Sequence, residues 1–352
     1  MISFDPIKVL SALIAIPSLS KQENEVLEYM KNILNDNDVD FEVEKNNVYA
    51  VNKNFTAGKY TVLLNSHLDT VKANTSYTLD PHDPIQKNGK LFGLGSNDAG
   101  GPLVGLLGAF LHFYGQKDLP FNLVFAASAE EEISGKNGME FLYPKLPPVD
   151  FAIIGEPTLM DIALAERGLM VLDVTVRGKS GHAARNEGVN AINKALEDIN
   201  WFNTFEFPLT SSEIGPVGMT VTGIEAGTQH NVVPDVCKFM VDVRINDKYK
   251  NIEVLKIIKD NVKGEVKERS TRLNSSGVNA THPIREVAKE LNIRTYGSPT
   301  SSDQALIPCE SVKIGPGDSA RSHSADEFIF IDELVNSIPK YIKIITALGS
   351  KL

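Results

Sequence analysis

The 352-residue sequence predicts an α/β protein interrupted by an inserted α+β domain, and three observations carry that expectation. Short, wholly apolar runs alternate with helical patterns over residues 1–165. Between residues 166 and 275 the runs become apolar-polar alternations, as in antiparallel strands with one wet face. Helix periodicity then resumes over 276–352, where the first domain is completed. The length also exceeds what one core usually fills, so two domains are expected.

Taken in order, "DPIKVLSALIAI" and "ENEVLEYMKNILNDN" carry apolar residues at three-to-four spacing and read as helices, the second opening near Ser20. "YTVLLNSHLD", "FNLVFAAS" and "DFAIIGEP" are short runs closed by polar, Gly or Pro residues, the pattern of strands buried on both faces. Between the first two, "NDAGGPLVGLLGAFLHFYG" is a helix with a small-residue start that allows close packing on a sheet. In the insertion, "GLMVLDVTVRG", "GMTVTGIEAG" and "CKFMVDVRI" are strands, with helices at "GVNAINKALEDINWFNTF" and "NIEVLKIIKDNVK". The turn-rich "TRLNSSGVNATHP" leads back to helices at "IREVAKELN" and "IDELVNSIPKYIKIITALGS". Hinges for any domain rotation belong near residues 165 and 275, where the chain crosses.

Composition excludes several classes. Thirty-five basic against forty-five acidic residues, a formal charge of −10, argue against a general nucleic-acid surface. No segment approaches the ~20 apolar residues of a membrane span, and the N-terminus lacks a signal-peptide pattern. Cys237 and Cys309 are too few for a disulfide framework or a thiolate zinc site, so a cytoplasmic protein is expected.

The chemistry-bearing residues gather at strand ends. His67 and Asp69 close one run; Asp98 lies between a loop and a helix; Glu130, Glu131 and Glu132 follow the next strand. Glu156 ends a third, and His323 lies in a later loop. Open α/β sheets bind ligands at the carboxyl ends of their strands. Three adjacent glutamates raise one another's pKa unless a cation is present. Two histidines with several carboxylates suit zinc, cobalt or manganese rather than copper or an iron–sulfur cluster. Singly, each has a plainer reading: a hydrogen-bonding histidine, a solvated acidic helix start, a Pro turn. Their coincidence at strand ends favours a centre of two divalent ions.

The ordered set "SHLDTV", "GLGSNDAGG", "SAEEEISG", "IIGEPT", "GKSGHAA", "HNVVPD", "VDVR" and "SHSADE" resembles the co-catalytic zinc amidohydrolases and peptidases that include acetylornithine deacetylase, succinyl-diaminopimelate desuccinylase, aminoacylase and carboxypeptidase G. The resemblance implies a zinc-peptidase-like three-layer catalytic domain with a mixed sheet, and a ferredoxin-like inserted lid and dimerisation domain. It implies that His67, Asp98, Glu132, Glu156 and His323 are ligands of two divalent ions, zinc foremost with cobalt or manganese as alternatives, and that Asp98 bridges them. Glu131 matches the general base, Asp69 the carboxylate that orients His67, and Glu130 a further acid near the ligands or on the surface. His182 matches an oxyanion donor that reaches the other subunit of a homodimer, and Asn231 and Arg244 match substrate contacts. The "GSPTSSDQA" loop, residues 297–305, is expected to line the same pocket. Two departures stand out: Ala99-Gly100-Gly101 follow Asp98 where the family has a lysine, and the proline common after the family's histidine is missing after His182. His82, His112, His230 and His282 receive no role.

Within the family, "ASAEEEISGKNG", "LLNSHLDTVKAN", "ERGLMVLDVTVRGKSGHAAR" and "GTQHNVVPD" are most similar to the shorter acetylornithine deacetylases of the Bacteroidetes type. This implies hydrolysis of an N-acyl amino acid in arginine biosynthesis, N-acetylornithine or an N-acetyl or N-succinyl ornithine or citrulline. The alternatives are a succinyl-diaminopimelate desuccinylase or carrier-linked lysine hydrolase, a dipeptidase or carboxypeptidase, and a metal-free binding protein.

Overall fold

The computed structural model describes residues 4–352. Two compact units emerge: residues 4–164, 277–296 and 302–352 form one, and 165–276 with the short excursion 297–301 form the other.

The first unit is built on a mixed sheet. Strand Thr61–His67 runs parallel to Asn122–Ser128 on one side and to Phe151–Ile154 on the other. Glu310–Lys313 continues parallel beyond Phe151–Ile154, while Asn47–Val51 pairs antiparallel with Asn122–Ser128. Every residue of Thr61–His67, Asn122–Ser128 and Phe151–Ile154 is buried, because helices cover one face and a smaller apolar layer covers the other. Val62 and Leu64 pack with the helices Pro6–Ile14, Asn24–Asp36, Gly101–Tyr114, Ile284–Glu290 and Ile331–Gly349. Leu63, Val124 and Ile154 point the other way, toward Met139 and Leu142. Three layers result.

Helix Gly101–Tyr114 lies against Ile331–Gly349 at small residues: a Cβ at Gly105 would fall 2.6 Å from Ser337 Oγ and 2.9 Å from Tyr341. Tyr341 in turn donates to the carbonyl of Ile314 at 2.7 Å, fixing the last helix over the sheet. The helix expected to open at Ser20 instead starts at Asn24, with Glu23 as its N-cap residue, because the Ser20 hydroxyl is engaged elsewhere, 2.6 Å from Asp69 Oδ2.

The second unit has four antiparallel strands, spatially ordered Gly218–Ala226, Val236–Ile245, Gly168–Arg177 and Glu265–Glu268, with helices Ala191–Thr204 and Asn251–Asn261. In chain order this is β-α-β-β-α-β, a ferredoxin-like arrangement. Gly168–Arg177 alternates buried and partly exposed positions; Met170, Leu172, Val174 and Val176 face the helices. Among the described residues, no helix is long and apolar enough to cross a membrane.

Candidate metal centre

Parallel pairing puts the chemistry in one place. His67 is the last residue of its strand and lies in register with Ser128; the neighbouring strand then turns into Glu130–Glu132, and Phe151–Ile154 leads to Glu156. Three strand ends thus deliver an imidazole and several carboxylates to one edge of the sheet.

His67 is 2% exposed. Its Nδ1 lies 2.8 Å from the Asp69 carbonyl oxygen and 3.5 Å from Asp69 Oδ1. Its Nε2 is buried with no hydrogen-bond partner, facing Asp98 Oδ1 at 3.4 Å and Glu131 Oε2 at 4.0 Å. The Asp69 carboxylate does most of its bonding elsewhere: it accepts from Ser20 Oγ, from the Glu131 N–H at 3.0 Å and from the Glu132 N–H at 3.1 Å. Asp69 therefore orients His67 mainly through its backbone and holds the Glu131–Glu132 turn through its side chain. His323, 56% exposed at the side chain, completes the cluster with Nε2 at 3.0 Å from Glu132 Oε2 and 3.7 Å from Asp98 Oδ2.

Two triads have ligand atoms that all lie within 4.8 Å of one another: His67, Glu131 and Glu156, and His67, Asp98 and Glu132. Both share His67. Glu131 thus occupies, in the first triad, the place where the resemblance puts Asp98, although Asp98 is the nearer of the two to Nε2.

The electrostatics are those of crowded acids, opposed by His67, His323 and Lys313. Burial pushes Glu131 well above the usual carboxylate range, with Glu156, Asp303 and Glu132 adding to it and His67 opposing. Burial, then Asp98, raises Glu156 to about 8. Burial works against both His67 and Asp98, yet Asp69 and then Asp98 keep the imidazole well above its ordinary value, and His67 keeps the Asp98 carboxyl below its own. The Glu132 carboxylate raises His323 to about 9. An unsatisfied buried imidazole nitrogen among crowded acids is the environment that divalent cations relieve, and the donor set fits zinc, cobalt or manganese.

Several supporting residues were not identified from sequence. Glu327 is 1% exposed and accepts from the N–H groups of Asn97 at 2.8 Å and Asp98 at 3.0 Å, clasping the Asp98 loop; burial raises it to about 7. Asp303 is buried, accepts from Ser128 Oγ at 2.5 Å and Asn65 Nδ2 at 3.2 Å, and is raised by burial to about 6. The signals were faint: Glu327 closes the "SHSADE" motif four residues after His323, and Asp303 sits in the serine-rich 297–305 loop expected to line the pocket, neither with a role of its own. Glu130 is buried rather than on the surface. It sits at φ 56° and accepts from Asn137 Nδ2 at 2.8 Å.

The remaining site candidates lie in the second unit. His182 is exposed, with Nδ1 accepting from the Ala184 N–H at 3.2 Å, and Gly181–His182 pairs with Val232–Val233. Asn231 is exposed and its carbonyl accepts from the Ala183 N–H. Arg244 forks onto Asp242 at 2.8 and 3.1 Å. Arg167, also missed from sequence, lies close enough to Arg244 that burial and the second guanidinium together lower its basicity. His82, His112 and His230 have no part in the cluster, and His282 is a core residue whose Nδ1 accepts from the Ile284 N–H.

Residues 63–348 match the model of peptidase family M20/M25/M40. The chain belongs to this family. It is 26% identical to a [LysW]-lysine/[LysW]-ornithine hydrolase of Sulfurisphaera tokodaii, covering 98% of this chain and 96% of that protein. It is also 26% identical to an acetylornithine deacetylase of Buchnera aphidicola, over 96% and 97% of the two chains. A succinyl-diaminopimelate desuccinylase of Rickettsia bellii is again 26% identical, over 92% of each. Among solved structures, the fold is shared with aminopeptidase PepT of Bacillus cereus, at TM-score 0.76 and 19% identity over 97% and 98% of the chains. It is shared too with a dinuclear metal-binding M20 peptidase of Bacillus subtilis, at TM-score 0.73 and 16% identity over 99% and 98%. This M20 member is a metal-dependent amidohydrolase with a catalytic α/β unit and an inserted α+β unit.

Proposed function

We propose that the protein removes the acyl group from an N-acyl amino acid, with N-acylated ornithine or citrulline of arginine biosynthesis as the substrate class. The observation that carries the reading is the pair of overlapping triads on the unsatisfied Nε2 of His67, one of which includes Glu131. His67, Asp98 and Glu156 would hold one divalent ion, and Asp98, Glu132 and His323 the other, zinc being the first choice and cobalt or manganese the alternatives. Such a pair, when bound, lowers the pKa of a shared water and polarises the amide carbonyl.

The chain's own residues do the rest. Glu131 matches the family's general base, and its Oε2 stands 4.0 Å from His67 Nε2, farther than Asp98 Oδ1 at 3.4 Å; it takes the proton of the attacking water and gives it to the departing amine. Asp69 holds the backbone of Glu131 and Glu132 and so aims both side chains. His182 donates to the developing oxyanion, from the partner subunit of a homodimer. Asn231 and Arg244 hold the substrate, Arg244 joined by Arg167 in receiving the α-carboxylate. A cytoplasmic small-molecule enzyme follows from this reading.

The second reading is a desuccinylase or carrier-linked lysine hydrolase, favoured by the equal identity to relatives bearing those names. Amine release from N-acetylornithine, N-acetylcitrulline, their N-succinyl counterparts, N-succinyl-diaminopimelate and a dipeptide, by zinc- or cobalt-loaded protein, separates the two. Preference for an acylated ornithine or citrulline supports the proposal; preference for the diaminopimelate derivative replaces it with the second reading.

A further inference from the structure

His323 is held by a turn rather than by a strand end. Ser322 lies at φ −62°, ψ 140° and His323 at φ 58°, and the Ser324 N–H reaches back to the Arg321 carbonyl at 3.4 Å. These values match a type II turn with His323 at the position that glycine usually fills. A side chain is uncommon there because its Cβ crowds the following carbonyl. The imidazole is more than half exposed, so packing around it does not impose the turn.

The turn closes on Arg321, whose carbonyl also accepts from Ser324 Oγ at 2.6 Å. The Arg321 side chain is itself anchored. Its guanidinium forks onto Glu333, Nη1 to Oε2 at 2.8 Å and Nη2 to Oε1 at 2.7 Å, with only 14% and 23% of the two side chains exposed. The guanidinium carbon stands 5.0 Å from the centre of the Phe328 ring and 5.1 Å from that of Phe330. Glu333 lies in the first turn of helix Ile331–Gly349, where it also accepts from the Phe330 N–H at 3.2 Å. A bidentate, sheltered pair is the strong kind of charge-assisted contact, and a flat cation against aromatic rings is one that lysine does not reproduce. The ends of the loop have other holds: Asp318 on Asn97, and Asp326 on the N–H groups of Thr78 and Leu79. The Arg321–Glu333 pair serves the middle, two residues from His323.

We propose that Arg321, clamped to Glu333 and seated on Phe328 and Phe330, is a positioning residue that holds His323 in its turn and thereby sets the affinity of one of the two ions. The inference rests on the reading of His323 as a ligand given above. The anchor suits the task. Helix Ile331–Gly349 packs on Gly101–Tyr114 through Ser337, Tyr341 and Gly105, and Gly101 follows Asp98 by three residues. The clamp therefore ties His323 to the same pair of helices that carries Asp98, and so fixes the 3.7 Å between His323 Nε2 and Asp98 Oδ2.

The test titrates the metal-free protein with zinc and reads the two binding steps separately. Arg321→Met should weaken one ion about 10- to 100-fold, the usual cost of losing a residue that aims a ligand, and leave the other unchanged. Arg321→Lys keeps the charge but neither the fork nor the flat face, so it should recover only part of the loss. Glu333→Gln keeps a residue able to cap the helix and removes the charge that Arg321 grips. It should weaken the same ion by a smaller factor, and it carries the test should Arg321→Met not fold. His323→Ala should remove that ion, and adding Arg321→Met to it should change zinc binding no further, because the clamp acts only through the imidazole. With one ion lost in His323→Ala, equal weakening of both ions by the clamp variants, weakening of neither, or a further loss in the double variant overturns the assignment of Arg321. Zinc bound by His323→Ala as tightly as by the wild type would instead refute the ligand reading of His323 on which the clamp rests.

Discussion

The two units treat the same residue types in opposite ways. In the second unit, acids on the ferredoxin-like layer are matched by cations at the surface: Asp173 with Arg269 at 2.9 Å, Glu268 with Lys259 at 2.8 Å, Glu197 with Lys263 at 2.6 Å. Each of these carboxyls is held below its ordinary pKa by its partner. In the first unit, Glu131 and Glu156 stand at strand ends where His67, and for Glu156 also Lys313, oppose the shift without overcoming burial and the neighbouring acids, and both are pushed up. A sheet edge that gathers acids in this way is costly in isolation. The comparison teaches that the cations within this edge do not offset its acids, which is the environment a divalent ion relieves.

The largest effect should come from removing the acid assigned to proton transfer. Glu131→Gln should lower kcat by about 10²–10⁴, the usual contribution of a general base, with metal content kept. Parallel kinetics and elemental analysis check this; near-normal turnover would return Glu131 to a ligand or bystander role. Asp69→Asn should weaken metal affinity about 10- to 100-fold, as loss of a residue that aims ligands commonly does. It replaces the acceptor of the Ser20, Glu131 and Glu132 donors, so a metal titration that matches the wild type would contradict the holding role of that carboxylate.

The next effect is a pH dependence whose sign separates the two units. Glu156 rises from 4.5 to about 8 and His323 from 6.5 to about 9 in the metal-free fold, so the folded protein holds protons that the unfolded chain has released. Stability tied to these groups is present below the unfolded values and is lost as pH rises toward 8 and 9. Metal binding requires the protons to leave, so the stabilisation conferred by zinc should grow from pH 6 to pH 8.5. Thermal unfolding with and without zinc across that range is the check; a shift that shrinks with pH would contradict it. The smallest effect belongs to the second unit. Arg269→Ala, which breaks an exposed pair, should leave stability and metal content within measurement error, because solvent screens such pairs. A pronounced loss of either would break the contrast between the units.

Much of this was legible in the sequence, for a physical reason. Strands buried on both faces read as unbroken apolar runs, and ligand types at their ends stand out against them, so His67, Glu131, Glu132 and Glu156 stood out as candidates, and the structure brings them together with Asp98. What escaped depends on packing across the chain. Glu327 matters because it meets the backbone of Asn97 and Asp98, more than two hundred positions earlier, which no local pattern encodes. Arg167 joins Arg244 only because Gly168–Arg177 pairs with Val236–Ile245, with Leu169 opposite Arg244. Asp69 was read as the partner of the His67 ring; that its carboxylate also holds the Glu131–Glu132 turn depends on how two strand ends curl toward each other.

The most direct measurement is calorimetric titration of metal-free protein with zinc at pH 7, repeated in two buffers of different ionisation enthalpy so that released protons are counted. The account predicts two ions per chain and release of protons from the carboxyl groups that hold them in the metal-free site. Absence of zinc binding, or binding that releases no protons, would contradict the claim that this buried acidic edge is built around divalent cations.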